Sequence, residues 1–286
     1  MSVLDPVENW PVDNAAAAVI AAGEVVATLG ETQRSFELAS VTKLLSAYGF
    51  LMAVEEGVFE LDDACGPEGS TVRHLLAHAS GVGFASRKPE RAVEQRRLYS
   101  SAGFEILADE VYRRSGIEFA DYLEEGVFAP LGMADTVLHG SAGHGASSTI
   151  QDLCAFAQEL AEPQLLAPQT LEEAMSPQFP DLVGVVPGYG FHRPCFWGLG
   201  FEIFGGKSPH WLGPGMPEET VGHFGMSGTY LWAVPAVGRF AGITGAGRAM
   251  VALTDRRFQD WVKPLWERTN EYVWEELERA EVSRET

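Results

Sequence analysis

The pattern of apolar and polar positions divides the chain into sheet-forming ends and a helix-rich middle. Two apolar runs, AAAAVI and VVATLG, flank Ala22-Gly23-Glu24 and predict a β-hairpin. From Ser40, apolar residues recur at helical spacing as far as Gly57, which predicts a long, mostly buried helix ended by glycine. Further helical patterns occupy 71–79, 101–115, 118–128, 150–162 and 168–175.

Strand patterns return after Gly184, at 198–204, 229–234, 239–244 and 249–254. Residues 257–280 alternate aromatic and acidic positions and predict a closing helix, interrupted near Pro264. Because strands stand at both ends of the chain, we expect the two ends to share one sheet.

The predicted fold class is α/β of the α+β type, with an antiparallel central sheet flanked by helices and a helical lobe. We interpret residues 1–286 as a single domain, in which 1–62 and 185–286 form the α/β lobe. Residues 63–184 then form the helical lobe.

Composition and charge narrow the possible partners. The chain has 286 residues, of which 40 are Asp or Glu and 20 are Lys or Arg, so its formal charge of -20 repels nucleic acid and anionic lipid. No apolar stretch is long enough to span a bilayer, and MSVLDPVENWPVDN lacks the pattern of a signal peptide. We therefore predict a cytoplasmic protein that acts on a small molecule, with no nucleic-acid or membrane partner and no cofactor. The oligomeric state stays open.

Several familiar site motifs are absent from the sequence, including GxSxG, HExxH and GxGxxG. His74 and His78 are spaced to share one helix face, but no acidic third ligand accompanies them. We predict packing roles for both histidines and no metal site.

The segment Ser40-Val41-Thr42-Lys43, at the start of the predicted buried helix, matches the S-x-x-K pattern of a serine nucleophile with a lysine base. A lysine in the first turn of an apolar helix opposes the helix dipole, which makes a purely structural role less favourable. Side chains three residues apart share one helix face, so the amine can reach the hydroxyl. Lys43 acts as a base only if its pKa falls from about 10.4 to roughly 7 or 8, and Glu37 nearby would oppose that fall.

The chain resembles the serine β-lactamase and penicillin-binding-protein superfamily, in particular the esterase branch similar to class C β-lactamases. The resemblance covers nearly the whole chain. It rests on ASVTK at 39–43, VEEGVFELDD at 54–63, TVRHLLAHASGV at 71–82, VFAPLGMADT at 127–136, ASSTIQDLCAFAQEL at 146–160, WGLGFEI at 197–203 and GHFGMSGT at 222–229.

The resemblance assigns the family's second motif, Y-x-N, to Tyr99-Ser100-Ser101. It implies that Tyr99 exchanges protons with Ser40 and that Ser101 binds substrate. Because serine is shorter than asparagine and lacks its amide donors, we expect the contact of residue 101 with Lys43 or substrate to be lost or mediated by water.

The third motif, K-T-G in many β-lactamases, aligns with His223-Phe224-Gly225, which the resemblance places on a strand beside the site as substrate-binding residues. The backbone N–H groups of Ser40 and Met226 would then form the oxyanion hole. A lysine and a hydroxyl at the first two positions would bind a carboxylate. Neutral histidine and phenylalanine weaken that binding.

We therefore predict a serine hydrolase that forms an acyl-enzyme intermediate on small neutral carboxylic esters, lactones or amides. Two alternatives stay open. One is a catalytically silent binding or regulatory homologue, and the other is a true β-lactamase or DD-peptidase.

Overall fold

The computed structural model describes residues 2–285, in which helices cover both faces of a central sheet. The strands are β1 Ala15–Ala21, β2 Glu24–Leu29, β3 Phe36–Glu37, β4 Val137–Leu138, β5 Ala146–Ser148, β6 Gly184–Val186, β7 Gly190–His192, β8 Glu202–Ile203, β9 Val221–Gly225, β10 Thr229–Ala233 and β11 Ala249–Thr254. The helices are α1 Asp5–Glu8, α2 Thr42–Glu55, α3 Val72–Leu76, α4 Ala102–Ser115, α5 Phe119–Leu123, α6 Ala129–Leu131, α7 Ile150–Ala161, α8 Pro168–Ala174 and α9 Val262–Glu285. A π-helical segment, Glu124–Phe128, joins α5 to α6.

The central sheet has six strands in the order β2-β1-β11-β10-β9-β8, and every neighbouring pair is antiparallel. Strand β1 from the start of the chain pairs with β11 near its end, with Ala15 opposite Thr254. This pairing confirms that the two ends of the chain share one sheet. The predicted antiparallel sheet flanked by helices is likewise confirmed.

Two apolar cores lie on opposite faces of the sheet because successive strand side chains point to opposite sides. In β11, Val251 and Leu253 belong to the core that contains α2 and α7, whereas Met250 and Ala252 belong to the core beneath α9. Alternation in β1, β10 and β11 therefore builds both cores.

Several predicted elements differ from the observed ones. Residues 239–244 do not form a strand, since a 3₁₀ turn at Gly238–Phe240 and a series of turns replace it. Only Glu202–Ile203 of the predicted strand 198–204 is extended in the sheet, where Gly200 adopts φ 87° just before it. The helix predicted at 71–79 is confined to Val72–Leu76, and His78 has φ 56°, which ends helical geometry there.

Pro264 does not interrupt the closing helix. It lies in the first turn of α9, where a proline removes no intrahelical hydrogen bond. The division into lobes at residues 63 and 185 stays a prediction. Among residues 2–285, the helices are all too short or too polar to cross a membrane.

Candidate active site

Ser40 lies in a 3₁₀ turn, Ala39–Val41, directly before α2. Ala39 has φ 45°, in the left-handed region that residues with a side chain rarely adopt, so the turn is strained next to Ser40. The Val41 N–H donates to the Leu38 carbonyl at 3.2 Å and holds the turn closed. The α-helix thus begins two residues later than the sequence pattern suggests, with Ser40 just ahead of its N-terminus.

Strand β9 approaches this turn closely at Gly225. A Cβ at Gly225 would lie 2.2 Å from the Leu38 carbonyl oxygen, so only glycine permits the approach. The Thr229 hydroxyl also donates to that carbonyl at 2.9 Å. The end of β9 and the Ser40 turn are therefore held side by side.

Met226 follows β9 and borders the same cavity as Ser40. The Phe258 N–H donates to the Met226 carbonyl at 2.9 Å, which fixes the orientation of that segment. Within residues 2–285, the Met226 N–H donates to no protein acceptor. It is therefore available to a ligand oxygen near Ser40.

Lys43 is completely buried in the first turn of α2, and its hydrogen-bond acceptors within residues 2–285 are neutral. Its Nζ donates to Ser101 Oγ at 3.0 Å and to the Gly143 carbonyl at 2.7 Å. Burial lowers the pKa of Lys43 from 10.5 to about 7, although Glu105 acts in the opposite direction. A substantial fraction of the amine is therefore neutral near pH 7 and able to accept a proton.

The structure differs from the sequence predictions at three points around Lys43. Ser101 keeps a direct hydrogen bond to Lys43, so the expected loss or water mediation of that contact is wrong. The carboxylate that acts on Lys43 is Glu105 rather than Glu37, which is exposed on β3. Across the described chain, Lys43 Nζ makes its side-chain hydrogen bond to Ser101, and none joins it to Ser40.

Tyr99 lies between Ser40 and His223. Its hydroxyl is 3.2 Å from His223 Nε2, and His223 Nδ1 is 2.7 Å from the Phe224 carbonyl. Because a carbonyl only accepts, Nδ1 carries the hydrogen and Nε2 accepts from the Tyr99 hydroxyl.

The protonation states follow from burial. Burial, together with the nearby Lys43, lowers the pKa of His223 to about 3, so the imidazole is neutral at physiological pH. Burial raises the pKa of Tyr99 well above its ordinary value, and the adjacent Ser40 hydroxyl only partly opposes the shift. Tyr99 is therefore a protonated phenol in contact with both Ser40 and His223.

Phe224 projects from the opposite face of β9 from His223, because neighbouring strand residues alternate. Its ring stacks on Phe258 with centroids 5.3 Å apart and belongs to the core beneath α9. It also borders the cavity beside Ser40. Phe224 is thus a wall residue anchored in the core.

A cavity of about 380 Å³ opens beside Ser40, and we call it the aromatic pocket. The rings of Tyr99 and Trp197 lie 5.7 Å apart, and those of Tyr99 and Phe84 lie 5.9 Å apart at 26°. The residues that line it are Ser40, Phe84, Tyr99, Pro187, Trp197, Glu202, His223, Phe224 and Met226.

Glu202 is the acidic residue in that wall, and it is buried with three donors. His210 Nε2 lies 3.0 Å and Lys207 Nζ 3.4 Å from its Oε1, while Trp211 Nε1 donates to Oε2 at 3.1 Å. Although burial raises the pKa of Glu202, Lys207 and His210 bring it well below the usual range. The carboxylate is therefore ionised and already paired.

A second cavity, of about 510 Å³, lies beyond Met226, and we call it the outer cleft. It shares Met226 with the aromatic pocket and reaches Ala39, next to the nucleophile. Its charged and titratable lining residues are Arg34, Glu37, His144, Asp255 and Arg257. The two cavities thus differ in polarity and meet at Met226.

The structure brings together Ser40, Lys43, Tyr99, Ser101 and His223, all of which were singled out in the sequence. Sequence reasoning missed Glu105, Gly143, Trp197 and Glu202 as parts of the site. Glu105 carried a usable signal, because it stands four residues after Ser101 on the predicted helix 101–115. Gly143 acts through its carbonyl, which leaves no trace in residue type.

Comparisons with known proteins identify the family and support the fold. The β-lactamase family model matches residues 11–267. A crystal structure described as a β-lactamase from Mycobacterium bovis is 48% identical, with a TM-score of 0.91 over 96% of this chain and 99% of that one. The octameric penicillin-binding protein homologue from Pyrococcus abyssi is 18% identical, with a TM-score of 0.71 over 93% of this chain and 74% of that one, and supports the fold alone.

A curated relative, penicillin-binding protein 4* of Bacillus subtilis strain 168, is 29% identical over 139 residues. The match covers 37% of this chain and 31% of that protein. The chain thus spans less than a third of the length of this relative.

Proposed function

The chain belongs to the β-lactamase family of serine hydrolases, and on that premise we propose that it cleaves small neutral esters, lactones or amides through an acyl-enzyme intermediate. The observation that carries the proposal is Lys43, a fully buried amine that donates to Ser101 and Gly143, lies 4.6 Å from the centre of the Tyr99 ring and has its pKa lowered to about 7. A structural lysine would gain nothing from a site in which every hydrogen-bond partner is neutral. A general base needs that environment.

In the proposed reaction, the Ser40 oxygen attacks the substrate carbonyl carbon and its proton passes to the Tyr99 oxygen. Tyr99 in turn releases its hydrogen bond to His223 and gives its own hydroxyl proton to Lys43. The resulting oxyanion accepts hydrogen bonds from the N–H groups of Ser40 and Met226. The proton then returns to the leaving oxygen or nitrogen as its bond to the carbonyl carbon breaks. A water molecule, deprotonated by the same groups, releases the acid from Ser40.

The neutral imidazole of His223 supports the proposal of neutral substrates. Its Nε2 accepts from Tyr99, which orients the phenol hydroxyl without offering a permanent positive charge to a substrate. The carboxylate of a β-lactam or a D-alanyl peptide would meet no fixed cation at this position. Neutral substrates fit the site better for that reason.

A second candidate function is β-lactam hydrolysis. It is favoured by the 48% identity to the structure described as a β-lactamase. The two candidates share the nucleophile and base and differ in the substrate group that His223 and Phe224 would meet. The cytoplasmic location stays a prediction.

The test compares p-nitrophenyl acetate with the cephalosporin nitrocefin under steady-state conditions. We expect kcat/KM for the ester to exceed that for nitrocefin at least tenfold, about 1.4 kcal/mol of transition-state binding. Ser40→Ala should abolish both activities, whereas Ser283→Ala, an exposed serine on α9, should change neither.

Nitrocefin turnover equal to or above ester turnover would contradict the specificity and favour β-lactam hydrolysis. If wild type hydrolyses neither compound and Ser40 forms no covalent adduct, the catalytically silent alternative replaces both functions.

A further inference from the structure

We propose that the aromatic pocket binds an aromatic, uncharged leaving group, so that the preferred substrates are esters of arylmethyl alcohols. The inference rests on the proposed function and adds the chemical class of one half of the substrate. It is carried by the walls of the pocket, by the pairing of its carboxylate and by the position of Tyr99.

The walls offer ring faces and edges to a bound group. Phe84 and Tyr99 are stacked at 26°, and Trp197 stands beside Tyr99 with centroids 5.7 Å apart. Phe84 is 57% exposed although it is a large apolar side chain. Aromatic side chains at such distances favour a further ring in offset or edge-on contact, and a bound ring would remove Phe84 from water.

The charged residues of the pocket do not select a charged ligand. Glu202 Oε1 lies next to Lys207 and His210, and its Oε2 accepts from Trp211, so both oxygens already have donors. His223 is neutral and already bonded to Tyr99. Neither an ammonium nor a carboxylate on the ligand would find an unpaired partner here, which favours an uncharged group.

The position of Tyr99 decides which half of the substrate enters the pocket. The alcohol oxygen must receive a proton as its bond to the carbonyl carbon breaks, and the Tyr99 hydroxyl, which contacts Ser40, lies on the route by which the proposed reaction returns that proton. Tyr99 and His223 both line the pocket, so a group on that oxygen extends from Tyr99 into it. The acyl half stays bonded to Ser40 and has the outer cleft beyond Met226.

The test compares benzyl acetate with methyl acetate, because their alcohols have similar pKa values and differ in the ring. We expect kcat/KM for benzyl acetate to be at least tenfold higher. Phe84→Ala should reduce this ratio about threefold or more. Phe191→Ala should leave it unchanged, because Phe191 is 54% exposed like Phe84 but does not line the pocket.

A second pair, p-nitrophenyl phenylacetate and p-nitrophenyl acetate, places the ring on the acyl side with a constant leaving group. Equal rates for the benzyl and methyl esters, or a ring preference confined to the acyl pair, would overturn the inference. If p-nitrophenyl acetate is still hydrolysed through Ser40 in either case, the proposed function survives. Absence of all ester hydrolysis and of a Ser40 adduct overturns both.

Discussion

Two of the chain's four lysines are buried, and their surroundings differ in one respect. Lys43 contacts a serine hydroxyl and a backbone carbonyl, whereas Lys207 contacts the Glu202 carboxylate at 3.4 Å. Burial lowers the pKa of both amines, but at Lys207 the ionised Glu202 opposes the shift with a full charge close by. At Lys43 the opposing carboxylate is Glu105, and in the described part of the chain no ion pair or hydrogen bond joins the two.

The difference shows how one fold uses the same residue type for two purposes. A buried lysine beside a carboxylate forms an ion pair. Removing one partner strongly lowers the stability of the protein, because the other charge is left buried and unpaired. A buried lysine among neutral acceptors keeps the desolvation penalty of its charge and becomes a base near neutral pH. Lys43 lies in the first turn of α2, directly after the Ser40 turn, whereas Lys207 pairs with Glu202, which lines the aromatic pocket.

The largest expected effect comes from Lys43→Arg. Guanidinium stays protonated at all accessible pH values, so it cannot accept the Ser40 proton. We expect kcat for p-nitrophenyl acetate to fall about a hundredfold or more. Lys263→Arg, at an exposed position on α9, is the matched control and should retain full activity. Retention of more than about a tenth of kcat in Lys43→Arg, a loss below roughly 1.4 kcal/mol, would end the role of Lys43 as general base.

Replacing each buried lysine by methionine should change stability in opposite directions at pH 6. Lys207→Met leaves Glu202 without its cation and should lower the free energy of unfolding by about 3–5 kcal/mol. For Lys43, the pKa shift from 10.5 to about 7 means that burying the charged amine lowers the free energy of unfolding by about 4–5 kcal/mol below pH 7. Lys43→Met removes this penalty but leaves the Ser101 hydroxyl and the Gly143 carbonyl without their donor, which costs about 1–3 kcal/mol. We therefore expect the free energy of unfolding to rise by about 2 kcal/mol.

The sign for Lys43 depends on pH. Because its folded pKa is depressed, the unfolded chain holds the proton more tightly, so wild-type stability rises between about pH 7 and 10.5 and the advantage of Lys43→Met disappears. Urea unfolding at several pH values measures both variants. A change in the same direction for the two variants at pH 6 would mean that their environments do not differ as described.

The smallest expected effect is a shift in the pKa of Lys43 when Glu105 is replaced by glutamine. Glu105 raises the pKa of Lys43, so Glu105→Gln should move the rise of kcat/KM with pH towards lower pH. Glu105 also accepts from Ser141 at 2.6 Å, a contact that glutamine can keep. A pH profile for p-nitrophenyl acetate measures the midpoint. A midpoint that stays in place or moves to higher pH would show that Glu105 does not raise the pKa of Lys43.

Much of the fold follows from short apolar runs bounded by turn residues and from helical spacing. Strands β1, β10 and β11 are such runs and are buried on both faces, whereas α4 and α7 each show a buried and a more exposed face. The predicted strand at 239–244 fails where apolar residues pack in turns, since Phe240 is buried without strand geometry. Short runs of that kind carry no periodic signal that separates a turn from a strand.

The candidate site was accessible from the sequence where side chains perform the chemistry, as at Ser40, Lys43 and Tyr99. The parts of the site formed by backbone groups or by side chains distant in sequence could not be predicted. The Gly143 carbonyl and the pairing of Glu202 with Lys207, His210 and Trp211 depend on tertiary approach. Residue type and spacing do not encode such contacts.

The most direct test of the account is the rate at which a small fluorophosphonate labels Ser40 as a function of pH, followed by mass spectrometry of peptides. We predict a single adduct on Ser40, with a labelling rate that rises about tenfold per pH unit below about pH 7 and levels off above it, as Lys43 loses its proton. Absence of the adduct, or a Ser40 labelling rate that does not change between pH 5 and 9, would contradict a nucleophile activated by Lys43.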